Sequence, residues 1–291
     1  MIPRAQITAW RAVAPWATDA QVEQDLILSR ALVQIFSNAT LSACLTFRGG
    51  TALHKLFLNP PSRYSEDIDL VQVKPEPIGP TLTALHKTLD SWLGEPRRKQ
   101  SEGRATLAYR FDSEIPPVTP LRLKVEINTR EHFSAFGYVR KKFTVKNLWF
   151  DGKAELVTYS LEELLGTKLR ALYQRKQGRD LFDRAAAFRK APKLDPKRVV
   201  ASFLKYIERE GLRISRAEFE ANMAEKIEDA EFRSDIKPLL ATSAFQGDAF
   251  NKGSFQTGHA EYDPDTAYRQ VHKALIELLP GDPWKGTSTR A

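Results

Sequence analysis

Every strand-like segment of this chain lies before residue 160, and every patterned segment after it reads as helix. The change falls near Tyr159. It divides the chain into a mixed α/β (α+β) domain over residues 1–159 and an all-helical domain over 160–291. A length of 291 residues suits two ordinary domains, and 42% hydrophobic with 27% charged residues is a foldable globular composition.

Within the first part, Val22, Leu26, Ile27, Leu28, Leu32, Val33 and Phe36 recur near helical spacing and predict a helix over 19–36. The short apolar Leu45–Phe47 meets Gly49-Gly50. A helix over 51–58 follows, stopped by Asn59-Pro60-Pro61. Strands are expected over 68–73, 105–111, 121–128, 142–150 and 154–159, with a helix over 82–93. The cleanest is 121–128: Leu121, Leu123, Val125 and Ile127 point one way, and Arg122, Lys124, Glu126 and Asn128 the other. Ser160 and Glu163 make a capping box for a helix running to about Gln177. Later helices are expected over 179–190, 196–210, 215–228 and 266–279, with a frayed end from Pro280.

Several chemistries are excluded early. Cys44 is the single cysteine, so neither an intramolecular disulfide nor a four-cysteine zinc site can form. The histidines, at 54, 86, 132, 259 and 272, are never at metal-ligand spacing. No apolar run approaches the ~18 residues that span a bilayer. The first residues lack the apolar core of a signal peptide, so the expected compartment is cytoplasmic. Net charge is +8, and residues 166–198, with eleven Lys or Arg against three Asp, carry as much by themselves. Such a stretch is either a solvated helical surface or a face for a polyanion.

The most informative segment is FRGGTALHKLFLNPPSRYSEDIDLVQV, residues 47–73. Gly49 and Gly50 would let backbone N–H groups approach a phosphate at a helix N-terminus, with Thr51 beside them. Asp67 and Asp69 are two apart on a strand, so both carboxylates leave one face, shared by Ser65. Side-by-side carboxylates repel, and Mg²⁺ relieves that repulsion. Glu126, on the polar face of another strand, supplies a third. Three carboxylates on neighbouring strands could align a phosphoryl-group reaction. Taken singly, a glycine pair is most often a loop and an acidic pair a surface turn. Here the pair is flanked by apolar strand residues.

In this pattern the chain resembles the polymerase-β-like nucleotidyltransferase superfamily. More narrowly, GGTALHK…RYSEDIDL resembles the AbiEii/AbiGii toxin family, which includes the MenT toxins. The resemblance covers about residues 20–190. It implies a nucleotidyltransferase fold with a mixed sheet, an NTP substrate and Mg²⁺ at Asp67, Asp69 and Glu126. It also implies nucleotide contacts at Gly49, Gly50, Thr51 and Ser65. The implied acceptor is the 3′ end of tRNA, and the implied partner an AbiEi-type antitoxin. Other acceptors, a protein side chain or a small molecule, stay open, as does a non-catalytic NTP- or RNA-binding module.

Lys168 falls near the centre of the apolar stripe Leu161, Leu164, Leu165, Leu169 and Leu172. By periodicity alone its ammonium would snorkel to water. The stretch GTKLRALYQRKQGRDLFD resembles the second block of the same toxins, which implies that Lys168 contacts phosphate and that Asp180 is a second catalytic acid or base. Arg179 and Asp183 would sit nearby, with Asp183 paired to an arginine. Without the resemblance, Asp180 is an ordinary first-turn carboxylate. Arg63 is placed to orient Asp67 or the triphosphate. Lys55 reads as a solvated helix position, Cys44 as a small core residue, and Trp10 and Trp16 as packing for the N-terminal segment.

Overall fold

The computed structural model describes residues 2–240 and 262–286. The described residues divide into two units, 2–159 with 239–240 and 160–238 with 262–286. In the first, the elements run α1 (Arg4–Trp10), α2 (Asp19–Ser37), α3 (Ala39–Cys44), β1 (Leu45–Arg48), α4 (Gly49–Leu56), β2 (Asp67–Gln72), α5 (Gly79–Leu93), β3 (Arg97–Ser101), β4 (Arg104–Asp112), β5 (Pro120–Asn128), β6 (Tyr138–Asn147) and β7 (Phe150–Tyr159). The strands form one mixed sheet in the order β3-β4-β5-β2-β1-β7-β6. β2 pairs parallel with β5 and antiparallel with β1, and β1 pairs parallel with β7.

Strand β5 shows why these residues make a sheet. Leu123, Val125 and Ile127 are fully buried, while Lys124, Glu126 and Asn128 are part-exposed on the other face. The buried side packs on α2, whose N-terminus is closed by a capping box of Thr18 and Gln21. Not all of that helix is apolar. Glu23, Gln24 and Asp25 are each at most 4% exposed. Glu23 accepts from the Glu114 backbone N–H, and the Gln24 amide donates to the Arg122 carbonyl. Asp25 accepts from Trp10 Nε1 and from Lys55 Nζ. Lys55 is therefore not a solvated helix lysine; its ammonium lies 2.9 Å from Asp25 Oδ2. Trp10 and Trp16 are buried as expected, whereas Cys44 is only half-buried.

The second unit holds α6 (Leu161–Gln174), α7 (Gly178–Lys190), α8 (Pro196–Arg209), α9 (Arg216–Ile227), α10 (Ala230–Ser234) and α11 (Pro264–Ala274). Ser160 Oγ accepts the Glu163 N–H at the start of α6, and the buried Glu163 carboxylate accepts from the Tyr206 hydroxyl on α8. Leu239 and Leu240 return to the first unit, where the Tyr64 N–H donates to the Leu239 carbonyl and Arg63 bridges Leu240. A boundary at 159 alone does not describe that return. Of the end expected to fray from Pro280, residues 287–291 lie outside the described residues. No described helix is long and apolar enough to cross a membrane.

Candidate active site

Two strands set out four polar side chains in a square. The parallel register of β2 and β5 aligns Asp67 with Lys124 and Asp69 with Glu126. Aligned residues of parallel strands share a face, so three carboxylates and one ammonium stand together. Ile68, between the aspartates in sequence, and Leu70, just after them, are buried on the opposite side. Lys124 Nζ is 2.7 Å from Glu126 Oε2 and 3.8 Å from Asp67 Oδ2, and Arg104 Nε on β4 is 3.2 Å from Glu126 Oε1.

Behind this square begins α4. Gly49 has φ +83°, a left-handed conformation that glycine alone adopts freely. A Cβ there would overlap the Asp69 carboxylate, lying 2.9 Å from its Cγ. At Gly50 a Cβ would overlap the Arg63 guanidinium and come within 3.0 Å of Ser65 Oγ. Thr51 Oγ1 donates to the Asp67 carbonyl at 2.6 Å and lies 2.9 Å from Ser65 Oγ. The glycine pair thus brings the amide end of α4 against the aspartate strand on one side and Ser65 on the other. The Arg63 guanidinium lies beside the glycine pair. It is buried behind Gly50, donating to the Tyr64 carbonyl.

Burial pushes the Asp67 carboxyl up to about 6; Lys124 pulls against that, and the charges of Asp69 and Glu66 add to it. Its Oδ1 is buried without a hydrogen-bond partner. A carboxylate in that state fits a divalent cation, with Asp69 on the same face as the natural second ligand. Glu126 stands differently. Among the described residues no group of three Asp, Glu, His or Cys side chains is gathered to hold a metal ion. Lys124, together with Arg104, holds Glu126 in ion pairs. Lys124 lies on the same polar strand face as Glu126, so alternation places both there, but the sequence does not reveal that its ammonium reaches two of the carboxylates.

The helical unit contains a second charged cluster. Lys168 does not snorkel: it is 7% exposed, its ammonium 2.6 Å from Asp183 Oδ2 and 3.4 Å from Asp180 Oδ1. Both aspartates are fully buried. Arg175 binds Asp180 with two hydrogen bonds, at 2.7 and 2.9 Å. Burial raises the Asp180 carboxyl, but Lys168, Arg175 and Arg184 outweigh it and hold the group below the usual carboxylate range. Arg184, fully buried, donates to the Asp180 carbonyl, and its guanidinium is lowered to about 10 by burial. Arg179 turns to Gln177. Asp183 is paired with Lys168 rather than only with an arginine.

These pairs reduce the basic face expected over 166–198. Lys168, Arg170, Arg175, Lys176 and Arg184 are all engaged within the unit, Arg170 with Glu210 and Lys176 with Asp229. The side chains of Lys190, Lys193, Lys197 and Arg198 remain exposed.

A mixed seven-stranded sheet with flanking helices, followed by helices, is the nucleotidyltransferase fold. Among solved structures the chain is similar to MenT4, a nucleotidyltransferase toxin of Mycobacterium tuberculosis H37Rv, with 15% identity, a TM-score of 0.59, and coverage of 97% of this chain and 92% of that one. It also aligns with a putative nucleotidyltransferase from H. pylori, at 15% identity and a TM-score of 0.49, covering 91% of this chain and 100% of the other. No curated protein matches it in sequence. Residues 30–250 match the family described as nucleotidyl transferase AbiEii toxin, type IV toxin–antitoxin system, and the chain belongs to that family. It is a nucleotidyltransferase. Enzymes of this family use an NTP and a divalent metal ion, and a type IV system implies an antitoxin partner.

Proposed function

We propose that the chain transfers a nucleoside monophosphate from an NTP, with Mg²⁺, to the 3′ end of tRNA in the cytoplasm. Extension of that end blocks aminoacylation and stops translation. An AbiEi-type antitoxin counters it. The observation that carries the reading is the approach of Gly49 to Asp69: a helix N-terminus and a carboxylate pair meet where only a glycine fits. That is the arrangement a triphosphate with its cation requires.

Each residue then has a task. Amides at Gly49, Gly50 and Thr51 bind phosphate oxygens, with Ser65 beside them. Asp67 and Asp69 hold the cation, and Glu126 joins them. The bound cation neutralises triphosphate charge for in-line displacement of pyrophosphate by the acceptor hydroxyl. Lys168 is the cation of the helical unit that the family pattern assigns to phosphate. Asp180 and Asp183 fix its position, and the buried, charge-paired state of Asp180 suits that task better than proton transfer. Arg179 remains a supporting residue.

The test is incubation of the purified chain with labelled NTPs, Mg²⁺ and either total RNA or lysate. Label in the tRNA band supports the reading. Label confined to a protein or small-molecule fraction moves the acceptor elsewhere, and no label under any condition removes the transfer reaction.

A further inference from the structure

The square on β2 and β5 contains a cation of its own. Lys124 is aligned with Asp67 across the strand pair and precedes Glu126 by two on its own strand, so its stem rises from the face that carries all three carboxylates. Its ammonium bonds Glu126 at 2.7 Å and lies 3.8 Å from Asp67. Arg104 adds a second contact to Glu126. Glu126 is thereby met by two cations and Asp67 by one. A divalent ion arriving alone must compete with Lys124 for Glu126 and one Asp67 oxygen.

We propose that Lys124 is a resident counter-cation of the carboxylate site: it holds Asp67 and Glu126 in the place of a metal ion and leaves them when the metal enters with the triphosphate. The inference rests on the carboxylate site proposed above. Lysine suits the task, since its charge is compact and its stem has several rotatable bonds. The side chain is 28% exposed, so water is open to it when it leaves. The triphosphate brings anionic oxygens that compensate the displaced ammonium. Metal and nucleotide therefore bind cooperatively, and the carboxylates stay paired in the absence of both. Lys124 is a positioning residue here; it acts through Asp67 and Glu126.

The test measures Mn²⁺ binding directly, by paramagnetic resonance of the free ion and by calorimetry, without turnover. Wild-type protein should bind Mn²⁺ weakly alone and more tightly with a non-hydrolysable NTP. Lys124→Met should bind Mn²⁺ alone at least ~10-fold tighter, about 1.4 kcal/mol, and should melt lower than wild type without metal. Adding Asp67→Asn should abolish the gain. Lys124→Gln, which keeps a polar tip, serves if the Met variant does not fold. Equal or weaker Mn²⁺ binding by the Lys124 variants overturns the inference. If wild-type binding nonetheless depends on Asp67, the carboxylate site itself stands. Absence of Asp67-dependent Mn²⁺ binding in every protein, with and without nucleotide, overturns both.

Discussion

Gly49 and the Asp69 carboxylate are in contact across the space where any other residue at 49 would carry its Cβ. The left-handed backbone at 49 and this contact both demand glycine.

Gly49→Ala should therefore strain the backbone by about 1–3 kcal/mol and displace Asp69. A misplacement near 1 Å can lower turnover about 100-fold. Nucleotide transfer measured beside circular dichroism checks this: activity should collapse while the fold persists. Wild-type activity in the alanine variant would show that the carboxylate position does not matter.

The raised Asp67 carboxyl predicts a pH dependence with a definite sign. Its value is about 6 in the folded chain against an ordinary 3.8, so between those values the folded state holds the extra proton. Stability from this group is present below the ordinary value and lost as pH rises through about 6. In metal-free protein, Asp67→Asn should raise the melting temperature relative to wild type at pH 7.5 and lose that advantage near pH 4. Divalent-ion affinity should fall as pH drops below 6, because the proton competes with the ion. Melting curves at both pH values, with and without Mn²⁺, decide it.

Lys168→Met keeps the apolar stem but leaves Asp180 and Asp183 buried without their shared ammonium. Removing one partner of a buried pair costs about 3–5 kcal/mol. The variant should melt well below wild type, which an outward-facing lysine would not produce. Lys168→Met with Asp183→Asn should regain part of that stability. If Lys168 also serves phosphate, the double variant stays inactive; recovery of activity along with stability would leave the lysine a structural role only.

Lys226 makes a second pH-dependent contact. Its ammonium donates to the Leu172 and Tyr173 carbonyls near the end of α6, and burial lowers it to about 8. Between 8 and the ordinary 10.5 the unfolded chain holds more protons, so this group makes stability rise with pH in that window. Lys226→Met should flatten that rise. The difference between the two proteins, followed by denaturant melts from pH 7.5 to 9.5, reads the effect without interference from groups common to both.

What the sequence made legible was what periodicity or a short motif encodes. The alternation of 121–128 placed Glu126 on the polar face, and Gly-Gly with Asp-x-Asp located the β1–α4–β2 corner. Strand β3 escaped because Arg97-Arg98-Lys99-Gln100-Ser101 is exposed throughout and has no apolar alternation to detect. Helices α1 and α3 are too short for a repeat to establish itself. Lys55 looked solvated because its partner, Asp25, is 30 residues away. Lys168 sat in the apolar stripe for a reason that periodicity does not carry: two buried aspartates on the next helix. For the two lysines the missing information is a tertiary pairing with a side chain on another element.

Glu23, Gln24 and Asp25 leave α2 about 100° apart in turn, as consecutive residues of a helix must. One is tied to the backbone at Glu114, one to the backbone at Arg122, and one to Lys55 on α4. A wholly aliphatic helix lying on a sheet can slide by a turn or roll about its axis at little energetic penalty, since apolar contact is non-directional. Three directional anchors at successive azimuths remove both freedoms. Because the third grips α4 at Lys55, five residues after Gly50, the orientation of the amides proposed to bind phosphate is indexed to α2. Substitutions of Glu23, Gln24 or Asp25 should consequently degrade substrate alignment before they degrade folding.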